Sequence, residues 1–177
     1  MIGVLVSGEG TNLQALIDAG LPIAAVASNR TGVRALKRAE TAGIPARVFE
    51  LESYADREAR DRELADWLQL RGVDLVVLAG YMHLLTPVFL ERFPDRIVNV
   101  HPSLLPAFPG ARAIDDALTA GVETTGVTVH YVDEGLDTGS VIRQEPVVVE
   151  PRETLVDRIH AVEHRLLPEV VRDLCAH

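Results

Sequence analysis

Leu75-Val76-Val77-Leu78-Ala79 is apolar at five successive positions. A strand with one wet face alternates, so an unbroken run implies a strand covered on both sides, as in the centre of a parallel sheet. Parallel neighbours need crossover helices, and the surrounding sequence supplies them. Ile2 to Val6 is a second unbroken run, followed by a glycine-rich turn and an amphipathic stretch from Leu13 to Ala19. Ile23 to Ala27 reads as strand, Val33 to Ala42 as helix ended by Gly43, and Ala46 to Phe49 as a short strand. Asp56 to Arg71 reads as a helix closed by Gly72, Ile97 to Val100 as a strand, and Ile114 to Ala120 as a helix.

After residue 120 the rhythm changes. Gly126 to Val132 and Val141 to Val149 are rich in β-branched residues and flank the turn-forming segment Asp133 to Gly139, the pattern of a hairpin. A last amphipathic helix, Glu153 to Leu174, carries Leu155, Ile159, Val162, Leu166 and Leu167 on one side, and Pro168 is expected to kink or restart it. With no repeat or charged linker, the 177 residues fit one domain of α/β class. The expected fold is Rossmann-like: a mostly parallel central sheet, an added C-terminal hairpin and helices on both faces.

Acidic side chains outnumber basic ones 26 to 17, and the formal charge of −9 argues against a nucleic-acid footprint. No apolar run approaches the roughly 18 residues of a spanning helix. The N-terminus lacks the basic region of a signal peptide, and the single cysteine, Cys175, supports neither a disulfide framework nor a cysteine metal site. These features lead us to expect a cytoplasmic protein with no membrane or nucleic-acid partner.

Three segments carry chemistry. Gly8-Glu9-Gly10-Thr11-Asn12 joins the first strand to the first helix; glycines allow a tight turn, Thr11 or Asn12 can cap the helix, and the free N–H groups can hold an anion. The loop lacks the Gly-Lys-Ser/Thr of a Walker motif and the third glycine of a dinucleotide motif. Asn99 and His101 stand two apart at the carboxyl end of a strand, so they project to one face, where open α/β sheets bind ligands. An amide donor beside an imidazole can stabilise an oxyanion and move a proton. Asp137, in isolation, reads as part of a turn. His83 and His130 read as helix-edge and strand-surface residues. His160 and His164, four apart on one helix, lack a third ligand, so no metal is expected.

Taken in order, Ser7-Gly8-Glu9-Gly10-Thr11-Asn12-Leu13-Gln14, Leu78-Ala79-Gly80-Tyr81-Met82, Asn99-Val100-His101-Pro102-Ser103-Leu104-Leu105-Pro106, Gly126 to Val132 and Leu136-Asp137-Thr138-Gly139 resemble the phosphoribosylglycinamide formyltransferases. The resemblance spans nearly the whole chain. It implies a formyltransferase domain over residues 1–177, with ribonucleotide phosphate held by the N-terminal part and folate by the C-terminal part. It further implies transfer of the formyl group of 10-formyltetrahydrofolate, a cosubstrate, to the amine of glycinamide ribonucleotide in purine synthesis, without a metal, by a monomer or homodimer.

By the same resemblance Asn99, His101 and Asp137 form the catalytic set, with Asp137 keeping His101 charged. Gly10, Thr11, Asn12 and His160 would hold the substrate phosphate, and Glu163 its ribose hydroxyls. Arg57, Met82, His83, Leu84, Leu85 and Asn99 would meet the folate, as would the segment Asp133, Glu134, Gly135, Leu136 and Asp137. His83 stands where an arginine often follows the methionine, His160 where lysine or glutamine is usual, and Ile114 in a segment that usually carries a histidine. Formyltetrahydrofolate hydrolase and methionyl-tRNA formyltransferase share the donor chemistry, but the first generally has an N-terminal regulatory domain and the second an added RNA-binding domain. A non-catalytic nucleotide-binding module would explain the glycine loop and leave Asn99 with His101 unexplained.

Overall fold

A computed structural model describes residues 1–177. The strands are β1 (Ile2–Val6), β2 (Ile23–Ser28), β3 (Ala46–Val48), β4 (Leu75–Leu78), β5 (Ile97–His101), β6 (Thr124–Tyr131) and β7 (Val141–Val148). The helices are α1 (Thr11–Asp18), α2 (Arg34–Thr41), α3 (Arg57–Leu70), α4 (Pro87–Leu90), α5 (Ala113–Ala120) and α6 (Leu155–Cys175). The chain divides into two compact units, Met1–Val98 and Asn99–His177, and β5 runs from the first into the second. In sheet order the strands are β3-β2-β1-β4-β5-β6-β7, the α/β sheet expected of the sequence.

In the first unit β1 pairs in parallel with β2 on one side and β4 on the other, and β2 pairs with β3. Every residue of β1 and β4 is buried, which is why both read as unbroken apolar runs. The helix α1 begins at Thr11, and its N-cap is Gly10 at φ 74 without a side-chain cap bond. Capping by Thr11 or Asn12 is therefore not observed: both residues already lie inside the helix, past the position from which a side chain caps. By contrast, the Asp56 carboxylate accepts the Ala59 N–H at 2.8 Å and starts α3. One turn, α4, opened by Pro87, is too short to show periodicity in the sequence.

In the second unit β6 and β7 pair antiparallel from Thr124–Val148 to His130–Val141, with an irregularity between Val129 and His130. Residues 125–130 of β6 are all buried, whereas most of β7 is open to solvent. The helix α6 packs on this hairpin and continues unbroken through Pro168. The expected restart does not occur. A proline removes one helical N–H, but Leu166, Leu167, Val170 and Val171 around it are buried and hold the helix in place.

Candidate active site

The second unit assembles Asn99, His101 and Asp137 around a further histidine. His101 is 4% exposed at the end of β5. Its Nε2 lies 2.8 Å from the Phe108 carbonyl, which can only accept, so Nε2 carries a proton and donates it. Its Nδ1 stands 3.5 Å from Asp137 Oδ2, at ion-pair distance. The imidazolium form thus has an acceptor facing each ring nitrogen.

Asp137 is presented by a backbone in the left-handed region, φ 55, and its side chain is nearly buried. Oδ2 also accepts the Gly110 N–H at 2.8 Å, tying this loop to the segment that follows β5. That segment is itself pinned: the buried Ser103 hydroxyl donates to the Ala107 carbonyl at 2.5 Å, and Phe108 sits at φ 51. Asp133 organises the rest of the hairpin loop by accepting the Gly135 N–H at 3.0 Å and the Thr138 hydroxyl at 2.6 Å. Glu134 and Leu136 of this loop are exposed.

His130 does not lie on the strand surface; it is 2% exposed. Its Nδ1 lies 2.8 Å from the Tyr131 carbonyl, its Nε2 3.2 Å from Asn99 Nδ2 and 3.7 Å from Asp137 Oδ1. Burial pushes the ring's pKa down, and His101 pushes the same way. The Tyr131 carbonyl, Asp137 and Asp133 oppose without reversing the shift. Buried among Val127, Val129 and the polar Thr125 and Thr128 of the same strand, the ring depends on these few partners.

In the first unit, Gly10 makes the glycine turn possible. Besides its positive φ, a Cβ there would lie 2.6 Å from the Ala35 Cβ of α2. The Ala35 N–H donates to the Gly8 carbonyl at 3.0 Å, and Arg38 Nε to the Glu9 carbonyl at 2.8 Å, so α2 braces the loop from outside. The N–H groups of Thr11 and Asn12 open α1, where an anion is favoured.

The loop after β4 carries Met82 and Leu84, both exposed, while Leu85 is buried. His83 is on no helix edge. Its Nδ1 meets Arg60 Nη1 at 2.7 Å and its Nε2 lies 3.2 Å from the Asn29 carboxamide, which reaches Ser7 at 2.6 Å. Arginine only donates, so Nδ1 accepts, while the Ser7 hydroxyl donates to Asn29 Oδ1 and leaves Asn29 Nδ2 toward Nε2. Burial first, then Arg60 and Arg57, lower the pKa of His83. Ser7 Oγ in turn accepts the Met82 N–H at 2.9 Å. Arg57 is exposed at the start of α3. On α6 of the second unit His160 is exposed, Glu163 is 6% exposed, and His160 stacks on His164 with ring centroids 6.1 Å apart. Ile114 lies in the first turn of α5.

A family profile described as formyl transferase matches residues 1–171. The chain is 39% identical to phosphoribosylglycinamide formyltransferase of Bacillus subtilis, over 97% of this chain and 92% of that protein. It is 44% identical to the trifunctional purine biosynthetic protein adenosine-3 of Drosophila melanogaster, but spans only 13% of that protein's length. Among solved structures, glycinamide ribonucleotide transformylase 1 from Symbiobacterium toebii superposes with a TM-score of 0.94 at 48% identity, covering 97% of this chain and 85% of that one. Phosphoribosylglycinamide formyltransferase from Bacillus halodurans gives 0.94 at 42% identity, with coverage of 98% and 94%. Coverage above nine tenths of both chains in the two Bacillus comparisons, together with the matched profile, shows that this chain belongs to the formyl transferase family, among its phosphoribosylglycinamide formyltransferases.

Proposed function

We propose that the protein transfers the formyl group of 10-formyltetrahydrofolate to the amine of glycinamide ribonucleotide, releasing tetrahydrofolate, in purine synthesis. The observation that carries this reading is the convergence of the His101 imidazole and the Asp137 carboxylate at 3.5 Å within a chain of this family. The amine attacks the formyl carbon and a C–N bond forms. Asn99 Nδ2–H and His101 Nε2–H donate to the oxyanion that develops. For this His101 exchanges the Phe108 carbonyl for the substrate oxygen while Nδ1 stays on Asp137. Collapse breaks the bond to the folate nitrogen; the proton lost by the amine returns to that nitrogen through His101 or a water.

This chemistry needs positioned donors and one buried charge pair, and no step requires a metal. Gly10, Thr11 and Asn12 bind the substrate phosphate through backbone N–H groups, aided by His160, and Glu163 accepts from the ribose. In the first unit Met82, Leu84, Leu85, His83 and Arg57 are the folate contacts of this reading, the exposed Met82 and Leu84 offering apolar surface to the pterin; in the second, the reading assigns the 133–137 backbone to its polar edge. The substrates are small molecules, and no nucleic-acid or membrane partner is invoked. No helix is long and apolar enough to cross a membrane; the reading also includes a cytoplasmic location and a monomer or homodimer.

The test is to follow the ultraviolet change as 10-formyltetrahydrofolate becomes tetrahydrofolate. Turnover only when glycinamide ribonucleotide is present supports the transferase; steady turnover without acceptor marks a hydrolase, and no turnover with any acceptor a binding module.

A further inference from the structure

Asn99 has a choice of orientation that its own chemistry does not decide. A carboxamide is nearly symmetric in shape, and only its partners determine whether N–H or C=O faces a given direction. Its one side-chain partner in the second unit is His130, at 3.2 Å. If His130 Nε2 were a donor, the amide would turn its oxygen to the ring and the whole group would reverse. An oxyanion could then meet the wrong end of the amide.

The tautomer of His130 is itself fixed. Nδ1 faces the Tyr131 carbonyl at 2.8 Å, a partner with no proton to give, so in the neutral ring the proton resides on Nδ1 and Nε2 is a lone pair. That lone pair accepts one Nδ2–H of Asn99 and leaves the second N–H of the same nitrogen for another acceptor. We propose that His130 is a positioning residue: held as the Nδ1–H tautomer by Tyr131, it selects the N–H orientation of Asn99 and so prepares the donor for the reacting carbonyl oxygen. This rests on the formyl-transfer role proposed for Asn99. The groups facing His130 are Asn99 and His101 from β5, the Tyr131 carbonyl on its own strand, and Asp133 and Asp137 from the hairpin loop. The low exposure of the ring and its lowered pKa keep Nε2 free of a proton near neutrality.

The experiment combines tautomer and rate. Long-range proton–nitrogen NMR on the whole protein should show His130 Nε2 as the unprotonated ring nitrogen and Nδ1 as N–H; a proton on Nε2 at neutral pH overturns the proposal, whether or not the protein transfers formyl groups. In kinetics, His130→Leu should lower kcat about tenfold with both KM values nearly unchanged. His130→Gln, which can present an acceptor oxygen near the ε position, should recover most of that loss. In an Asn99→Ala background His130→Leu should have almost no further effect, because the orientation it sets no longer exists. An equal tenfold loss in both backgrounds would mean that His130 acts through general packing. Should wild type release no tetrahydrofolate with any acceptor, the transfer reading fails and the NMR result alone decides the tautomer.

Discussion

His101 donates its Nε2 proton to the Phe108 carbonyl, 2.8 Å away, while its other nitrogen faces Asp137. The imidazole is therefore oriented from both ends before any substrate arrives, and in the mechanism we propose it exchanges that carbonyl for the substrate oxygen. Preorganised donors of this kind stabilise a developing oxyanion without reorganisation at the moment of reaction.

Removing either donor should then act on kcat. Asn99→Ala and His101→Ala are each expected to lower kcat by about 10²–10³, with KM for glycinamide ribonucleotide little changed. Steady-state kinetics with both substrates varied would check this; a rise in KM at constant kcat would mean that the residues bind substrate uniformly.

Asp137→Asn separates charge from shape. Asparagine tolerates the left-handed backbone at φ 55 and can still accept the Gly110 N–H through its oxygen. The variant should fold with near wild-type stability yet lose on the order of 10²-fold in kcat, since the imidazolium of the transition state lacks its counter-charge. Circular dichroism melts run beside rate measurements give both readouts.

Gly10→Ala should cost about 1–3 kcal/mol of stability, because φ is 74 and the new methyl would lie 2.6 Å from Ala35 Cβ and 2.7 Å from its Cα. Relief of that clash must shift the loop or α2. The KM for glycinamide ribonucleotide should also rise, and denaturant titration with kinetics would show the two effects together.

The Arg60–Asp61 pair is fully buried, with Nε 2.7 Å from Oδ1, and Asp61 Oδ2 accepts the Thr86 N–H at 2.8 Å. Asp61→Asn removes the only counter-charge in contact with the Arg60 guanidinium and should destabilise the protein by about 3–5 kcal/mol. Equilibrium unfolding in urea is the measurement.

Stability should also fall on mild acidification. The pKa of His130 lies below its ordinary value of 6.5 in the folded protein, mainly through burial. Below pH 6.5 the unfolded chain binds a proton that the folded one refuses, so stability declines until the folded-state pKa is reached. His83 contributes in the same direction. His130→Gln should flatten this decline without abolishing it, as urea midpoints measured from pH 7.5 down to about 5 would show.

Much of this was legible in the sequence. The unbroken run at 75–79 announced a strand covered on both faces, and β4 is fully buried. Asn99 and His101 were legible because strand geometry puts them on one face. His130 was not: its environment depends on Asn99, 31 residues away, and on a loop aspartate whose placement needs the left-handed turn at 137. At Pro168 the restart that local chemistry allows does not occur, because the burial of its neighbours keeps α6 continuous. The relay through Ser7, Asn29, His83 and Arg60 was invisible because it joins the ends of separate strands to α3.

That relay has a consequence for whatever covers Met82 and Leu84. The two side chains stand in water, yet the peptide between them is clamped by an imidazole held on both nitrogens and by a hydroxyl on the Met82 amide. A flat aromatic guest would find apolar surface on a scaffold with little left to freeze, and its binding would lose correspondingly little entropy from the host.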